Sequence, residues 1–533
     1  MSEGRLHALG FAVVAGTAWC AGTPPRVANT FQLAFPDGSG QIEWVSASTF
    51  RLQRTWAPLE PTKKPLTSET VVVWADDSGP KYSFKSRYLA VAVEKSGQSV
   101  SVRSASGVPV AESRLLLRNG RGVVEQRAGR SEHFYGLGAK PAAGFDLRGS
   151  LLETRDAFLL SSAGYGEYYP NPGTYQFDLG ETRRVVLPGE RIEYFCYYGP
   201  TPKGILEEHL GVAGPVDRFD SADFRIREPR AAATAAGSWE TLGETVWRLL
   251  SEGLSARLIP EFDLAPYERA DAALAARAAE IASVMPVLRA AEEGSRHGEM
   301  LRWRERLRPY LLSYTKEARD RGAPVMRPLE IDYGDDPVAL NRSGEFMLGD
   351  ELLVAPVLKP QDTLAVYLPR GIWTDLRSGE VHQGRREISL RAASGGLAVF
   401  VKNGSIVPLE SETGDILELH YFPKLGAEFF LFEEQGEDIS QFHAAPAGAF
   451  LRLEIESRVG RVYDWVVHHA APCRKVSSGG AEFTSVGEPG LLAPGRWYED
   501  PSRKLLRIRV RSTAGGDEIV NVTEVTEPRA STY

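Results

Sequence analysis

The strongest signal along this chain is alternation. Between residues 8 and 200, apolar and polar positions trade places in short runs, among them VVVWA (71–75), YLAVAVE (88–94), SVSVRS (99–104) and SRLLLRN (113–119). Turn clusters such as PDGSG (36–40), DDSGP (76–80) and NPG (171–173) separate them. A period of two puts successive side chains on opposite faces, so these runs predict the strands of an antiparallel β-sandwich. The period then changes. GPTPKGILEEHLGVAG (199–214) reads as a helix, with Pro202 near its start and Gly211 near its end.

Residues 215–325 lose the alternation. An Asp/Arg-rich coil leads into AAATAAGSW (231–239), and a helix is expected over about 239–252, then a short strand at LSARLIP (254–260). Two Ala/Arg/Glu-rich helices are expected near 267–284 and 296–321. From Pro324 the strand pattern returns in PVMRPL, ELLVAPVL, LAVYLP and AVFVKNGSIVPL, and it continues to a polar tail. The fold class expected is mainly β with a small α/β remnant. Its divisions are an N-terminal β-sandwich (1–214), a mostly helical segment (215–325), a proximal C-terminal β-domain (326–410) and a distal one (411–533).

Composition narrows the function classes. At 533 residues the chain has room for three or four domains, and an apolar fraction of 43% allows sizeable cores. A net charge of −8 argues against a general nucleic-acid or anionic-membrane binder, since either needs a concentrated basic face. Cys20, Cys196 and Cys473 are odd in number and far apart, a poor disulfide framework that favours a cytoplasmic over a secreted protein. LGFAVVAGTAWCAG (9–22) has the look of a short targeting segment, but a first β-strand is the expectation. No apolar run reaches the ~20 residues that span a bilayer. His468, His469 and Cys473 carry metal-capable atoms without zinc spacing, so a surface strand is expected there and no metal. No phosphate loop, dinucleotide fingerprint or nucleophile elbow occurs, and no cofactor is expected.

Several segments carry a resemblance. They are YGLGAK (135–140), GYG (164–166), YFCYYGPTPKGILEEHLGVAG (194–214), FMLGDELLVAPV (346–357) and GLAVFVKNGSIVPL (396–409). In this order and spacing the chain resembles glycoside hydrolase family 31, the α-glucosidase and α-xylosidase family. The resemblance implies an N-terminal sandwich, a catalytic (β/α)₈ barrel and C-terminal β-domains. Only about 110 residues separate Gly214 from Met326, whereas such a barrel takes about 250. A truncated barrel remnant is therefore expected.

What survives in that gap bears on chemistry. A retaining glycosidase needs a nucleophilic carboxylate and an acid/base carboxylate about 5–5.5 Å apart. The family's nucleophile segment, WxDxxE-like or DFGE-like, is absent between Gly214 and Met326. Trp74-Ala75-Asp76 and Trp373-Thr374-Asp375 fall in β-regions and read as structural. Trp239-Glu240-Thr241-Leu242 resembles the second half of the family's acid/base motif, which places Thr234 where the acid should stand. A threonine hydroxyl is no proton donor near neutral pH. Asp263 matches the aspartate of the family's H-D-I-G-G-F segment, with Phe262 in place of the histidine and Ala265 and Pro266 in place of the glycines. Arg289 matches the family's arginine, with Ala291 where a sugar-binding histidine would stand. Asp263 and Arg289 are read as vestigial substrate-binding positions, in an ordinary salt bridge or solvated. Tyr165, Tyr168 and Tyr169 could stack on a sugar.

The expectation is a catalytically inactive relative acting as a structural or accessory subunit, with a protein partner or a second copy over the surface left by the lost barrel. Leu301, Trp303, Leu307 and Leu311 are spaced for burial against something. The alternatives are a carbohydrate-binding protein, or a residual glycosidase with carboxylates drawn from Asp217, Asp220, Asp223, Glu240, Glu261 or Asp263.

Overall fold

The computed structural model describes all residues except 1–28, 58–69, 140–143, 215–223, 230–235, 291–297, 393–395, 435–437, 448–449, 459, 513–515 and 525–533. The segment 9–22 thus lies outside the described residues. Where the sequence alternates, it forms two facing antiparallel sheets of seven and nine strands. Leu89–Glu94 shows the logic: Leu89, Val91 and Val93 point inward, and the residues between them are half-buried on the other face. Trp44, Phe50, Leu52, Tyr175 and Phe177 fill the space between the sheets. Tyr165 and Tyr169 belong to this core at 1% and 2% exposure, so neither is available to stack on a sugar. Glu167 is gripped inside the sandwich by Arg183.

Helix α1 (Pro202–Ala213) leaves the seven-stranded sheet. Thr201 accepts a hydrogen bond from the Gly204 N–H, Pro202 supplies a preset first turn, and Gly214 ends the helix at φ 89°. Its His209 is buried against Phe158, Tyr168 and Tyr197, and burial pushes the imidazole down to about 4.

The middle segment holds α2 (Trp239–Leu254), α3 (Ala265–Glu268), α4 (Ala272–Ala282), α5 (Gly298–Arg306) and α6 (Arg308–Arg321). Ser238 and Thr241 form a capping box at the start of α2. The expected strand at 254–260 is a turn. The Ser255, Ala256 and Arg257 N–H groups fold back onto the last carbonyls of α2, and Ala256 adopts φ 62°. The strands lie at Glu261–Asp263 and Val287–Arg289, paired in parallel, with Arg227 bridging to Arg289 on the far side. Among the described residues no further strand joins them, so no barrel closes there. The single helix expected over 296–321 breaks at Leu307, because Pro309 has no N–H to continue it and fits the first turn of a new helix.

Beyond Pro324, a six-stranded sheet (with Met326–Pro328 at one edge and Val381–Gln383 at the other) carries Trp373 fully buried. Two further six-stranded sheets form the distal part. One contains Ser405–Glu410, Ile416–Phe422 and Val462–Val467; the other contains Ala427–Phe432 and Ile439–Ala447. His468 and His469 lie in the turn after Val462–Val467 rather than within a strand. His468 pairs with the His420 ring at 3.0 Å, and among the described residues no group of metal ligands converges. One hydrophobic cluster runs from Tyr135 and Phe158 through Leu242, Leu288 and Leu311 to Trp465 and Val522. The helical segment and the distal sandwich therefore share a core. Leu307 and Leu311 are fully buried, and Leu301 and Trp303 pack against that core. No large exposed apolar side chain lies between residues 152 and 337 among those described. Among the described residues, then, no apolar scar is exposed in this segment, and the faces around Leu307 and Leu311 join the shared core. No described helix is long and apolar enough to cross a membrane.

One carboxyl in the fold opposes its own burial. Glu330, in α7 (Leu329–Tyr333), is 4% exposed, its Oε2 has no hydrogen-bond partner, and burial raises its pKa to about 8. In the unfolded chain it titrates near ~4.3. The folded state therefore holds a proton that the unfolded state has released, and stability falls as pH rises from about 4.3 to 8. Glu330→Gln removes that penalty. It is expected to raise unfolding stability by about 2–3 kcal/mol at pH 8 and to change little at pH 4, as read by urea unfolding at the two pH values.

Candidate functional site

In a parallel β/α arrangement, ligands meet the chain at the C-terminal ends of the strands. Here those ends are Asp263 and Arg289, register partners across the parallel pair. Side chains two residues apart on a strand share a face, so Glu261 and Asp263 stand on the same side. Arg289 uses it: its Nε donates to Glu261 Oε1 at 2.6 Å, and its Nη1 donates to the Glu228 carbonyl at 2.8 Å. Arg227 adds a second cation 3.8 Å from Glu261 Oε2. The Glu261 hydrogen bond raises the Arg289 pKa further above its ordinary value. Asp263 turns back on its own chain, where Oδ1 accepts the Ala265 N–H at 3.1 Å and starts α3.

Phe262, in place of the family's histidine, is completely buried and stacks on Tyr267 with centroids 5.9 Å apart. Tyr267 in turn lies where a Cβ on Gly237 would sit, at 2.3 Å, so Gly237 is what lets the chain before α2 pass over the ring. An apolar stack thus stands beneath the strand ends. The arrangement is an ion-paired surface: one carboxylate held between two guanidinium groups, the other accepting a backbone N–H two residues on.

The other sequence candidates separate. Thr234, Asp217, Asp220, Asp223 and Ala291 lie outside the described residues. Glu240 is exposed in the first turn of α2. Asp375 accepts the Arg377 and Ser378 N–H groups in a turn, and Trp373 donates to the Pro369 carbonyl. A cavity of about 490 Å³ lies away from the strand ends, between α6 and the strand Ala427–Phe432, and nothing in the sequence pattern pointed to it.

Comparison with known proteins places this geometry. Residues 322–407 match the glycosyl hydrolase family 31 C-terminal domain. Alpha-glucosidase 2 of Bacillus thermoamyloliquefaciens is 30% identical over 219 residues, covering 36% of this chain and 27% of that protein. An alpha-xylosidase of Saccharolobus solfataricus is 29% identical over 145 residues, covering 26% of this chain and 20% of that one. In sequence, then, the chain spans about a quarter or less of the length of these curated relatives. Among solved structures, a family 31 dextranase of Flavobacterium johnsoniae complexed with glucose superposes with TM-score 0.76 at 14% identity, covering 94% of this chain and 99% of that one. The cycloalternan-forming enzyme of Listeria monocytogenes gives TM-score 0.78 at 14% identity, over 93% of this chain and 76% of that one. At such identities the likeness is one of fold.

Proposed function

Because the chain belongs to glycoside hydrolase family 31, we propose that it is a catalytically inactive member, with a truncated barrel, that serves as a structural or accessory subunit of a larger assembly. The observation that carries this reading is the state of the strand ends. Glu261 is neutralised by Arg289 and Arg227, and Asp263 accepts the Ala265 N–H of its own chain. The sequence supports it further, with no nucleophile segment between Gly214 and Met326 and Thr234 at the acid position. Asp263 and Arg289 are, in this reading, vestiges of a sugar site turned to structural use. A scaffold without chemistry keeps the role of positioning other chains. Its partner would not be needed to hide an apolar scar, since the helical segment buries its own faces.

A retaining glycosidase carries the sugar covalently on its nucleophile between two steps. Incubation with a fluorinated α-glycosyl fluoride that stalls the second step, followed by intact-mass measurement, tests the inactivity. The expected spectrum is the unmodified protein; a mass gain of one glycosyl unit would sink the proposal. Light scattering on protein from its native source tests the assembly, which requires a mass above that of one chain.

Carbohydrate binding without hydrolysis is the second reading. It is favoured by Trp74 and Tyr88, which are 42% and 43% exposed at the edge and turn of the nine-stranded sheet. Glycan binding lost in Trp74→Ala would support it.

A further inference from the structure

The cavity between α6 and the strand Ala427–Phe432 has about 490 Å³ of space, within the range of small-molecule sites. Its walls combine two chemistries. Tyr314, Phe429, Phe430 and Phe432 supply aromatic surface, with Phe430 44% exposed at the rim. Ser313, Ile439, Gln441 and the Arg321 guanidinium complete the walls together with carboxylates, most of which are already matched. Asp350 is held by Lys203 and Arg327, Asp320 by Arg319, and Glu428 lies 3.6 Å from His443.

Two carboxylates are not matched. Glu317 makes no hydrogen bond or ion pair with any described residue, and burial followed by the Asp350 charge raises its pKa, against the weaker pull of Arg327, Lys203 and Arg321. Glu351 is 8% exposed. Its Oε2 accepts from Tyr310 at 2.8 Å and Tyr314 at 2.6 Å, while its Oε1 has no hydrogen-bond partner among the described residues. Burial pushes the Glu351 carboxyl up to about 7. A buried acceptor left open beside aromatic faces is the environment that attracts an organic cation, through charge and through the ring quadrupoles together. A bare metal ion does not fit, since no described group of three ligands converges.

We infer that this cavity binds a small organic ammonium ion carrying an aromatic or alkyl group, with the charge set between Glu317 and Glu351 and the apolar part against Phe429 and Phe430. The inference stands independently of whether the chain hydrolyses glycosides.

Benzylammonium is the probe, and benzyl alcohol its uncharged counterpart. Isothermal titration of the full chain at pH 8 is expected to show saturable, roughly millimolar binding of benzylammonium, and binding of benzyl alcohol weaker by about tenfold. Glu317→Gln should weaken benzylammonium by about fivefold or more without lowering the melting temperature, because its carboxylate has no partner to lose. Glu351→Gln should weaken it as well, though it also disturbs two tyrosines. Equal binding of the alcohol, no saturable binding of benzylammonium, or unchanged affinity in Glu317→Gln would each overturn the inference.

Discussion

Replacing Arg304 by methionine is expected to remove about 3–5 kcal/mol of stability, because three carbonyls depend on one guanidinium. Arg304 is completely buried on α5. Its Nε donates to the Met285 carbonyl at 2.9 Å, and its Nη2 donates to those of Phe224 and Pro286 at 2.8 and 2.7 Å. The guanidinium also lies 3.7 Å from the Phe224 ring. Burial lowers its pKa to about 10, so it remains charged at neutral pH. These bonds tie three otherwise separate stretches together: α5 itself, the Phe224 segment and the Met285–Pro286 link between α4 and the strand Val287–Arg289. Methionine fills much of the volume but donates nothing, and each orphaned carbonyl then costs its desolvation. Lysine retains the charge but not the fork, so Arg304→Lys should fall between the two. Arg302, exposed on the same helix, is the control, and its alanine variant should stay within about 0.5 kcal/mol. Urea unfolding followed by the fluorescence of the adjacent Trp303 reads the difference.

Arg183→Met should cost as much, by a different route. Arg183 is 1% exposed between the two N-terminal sheets and grips both oxygens of Glu167, at 2.5 and 2.6 Å. It also donates to Gln126, and Glu167 accepts the Tyr169 hydroxyl. Burial alone would lower the Arg183 pKa, but Glu167 holds it well above the ordinary value. Removing the cation leaves a carboxylate buried without its counter-charge, a loss of about 3–5 kcal/mol. Removing both charges does not leave that problem. The double variant Arg183→Met, Glu167→Met should therefore recover much of the loss of the single one, which a double-mutant cycle measures directly.

These two arginines also show where sequence reading reaches its limit. Alternation located the N-terminal strands, and Pro202 marked the start of α1. Spacing alone identified Leu307 and Leu311 as buried. Polar residues misled where a partner distant in sequence satisfies them. Tyr165 and Tyr169 looked able to stack on a sugar, yet they are buried beside Glu167, whose partner Arg183 lies opposite in the other sheet. The run at 254–260 alternates like a strand, yet it is the end of α2 folding back on itself. The single helix expected over 296–321 ran through Pro309, although a helix interior has no place for a residue without an N–H.

Asp263 and Arg289 were singled out in the sequence, but their bonding depends on register. Parallel pairing places Arg289 within reach of Glu261, and sequence spacing contains no register. The cavity beside α6 was out of reach altogether. Glu317, Glu351 and Phe429 come from separated stretches and meet only because α6 and the distal sandwich share a core.

The central claim is that the family 31 scaffold here no longer carries glycosidase chemistry. Enzymes exceed the uncatalysed reaction by about 10⁶-fold or more, so a surviving site could not hide in a sensitive assay. The measurement is release of nitrophenol from nitrophenyl α-glucoside and α-xyloside by the full chain at high protein concentration. The account predicts a rate equal to that of the Thr234→Ala, Asp263→Asn double variant, with no saturation by substrate. Saturable release well above that of the double variant would contradict it.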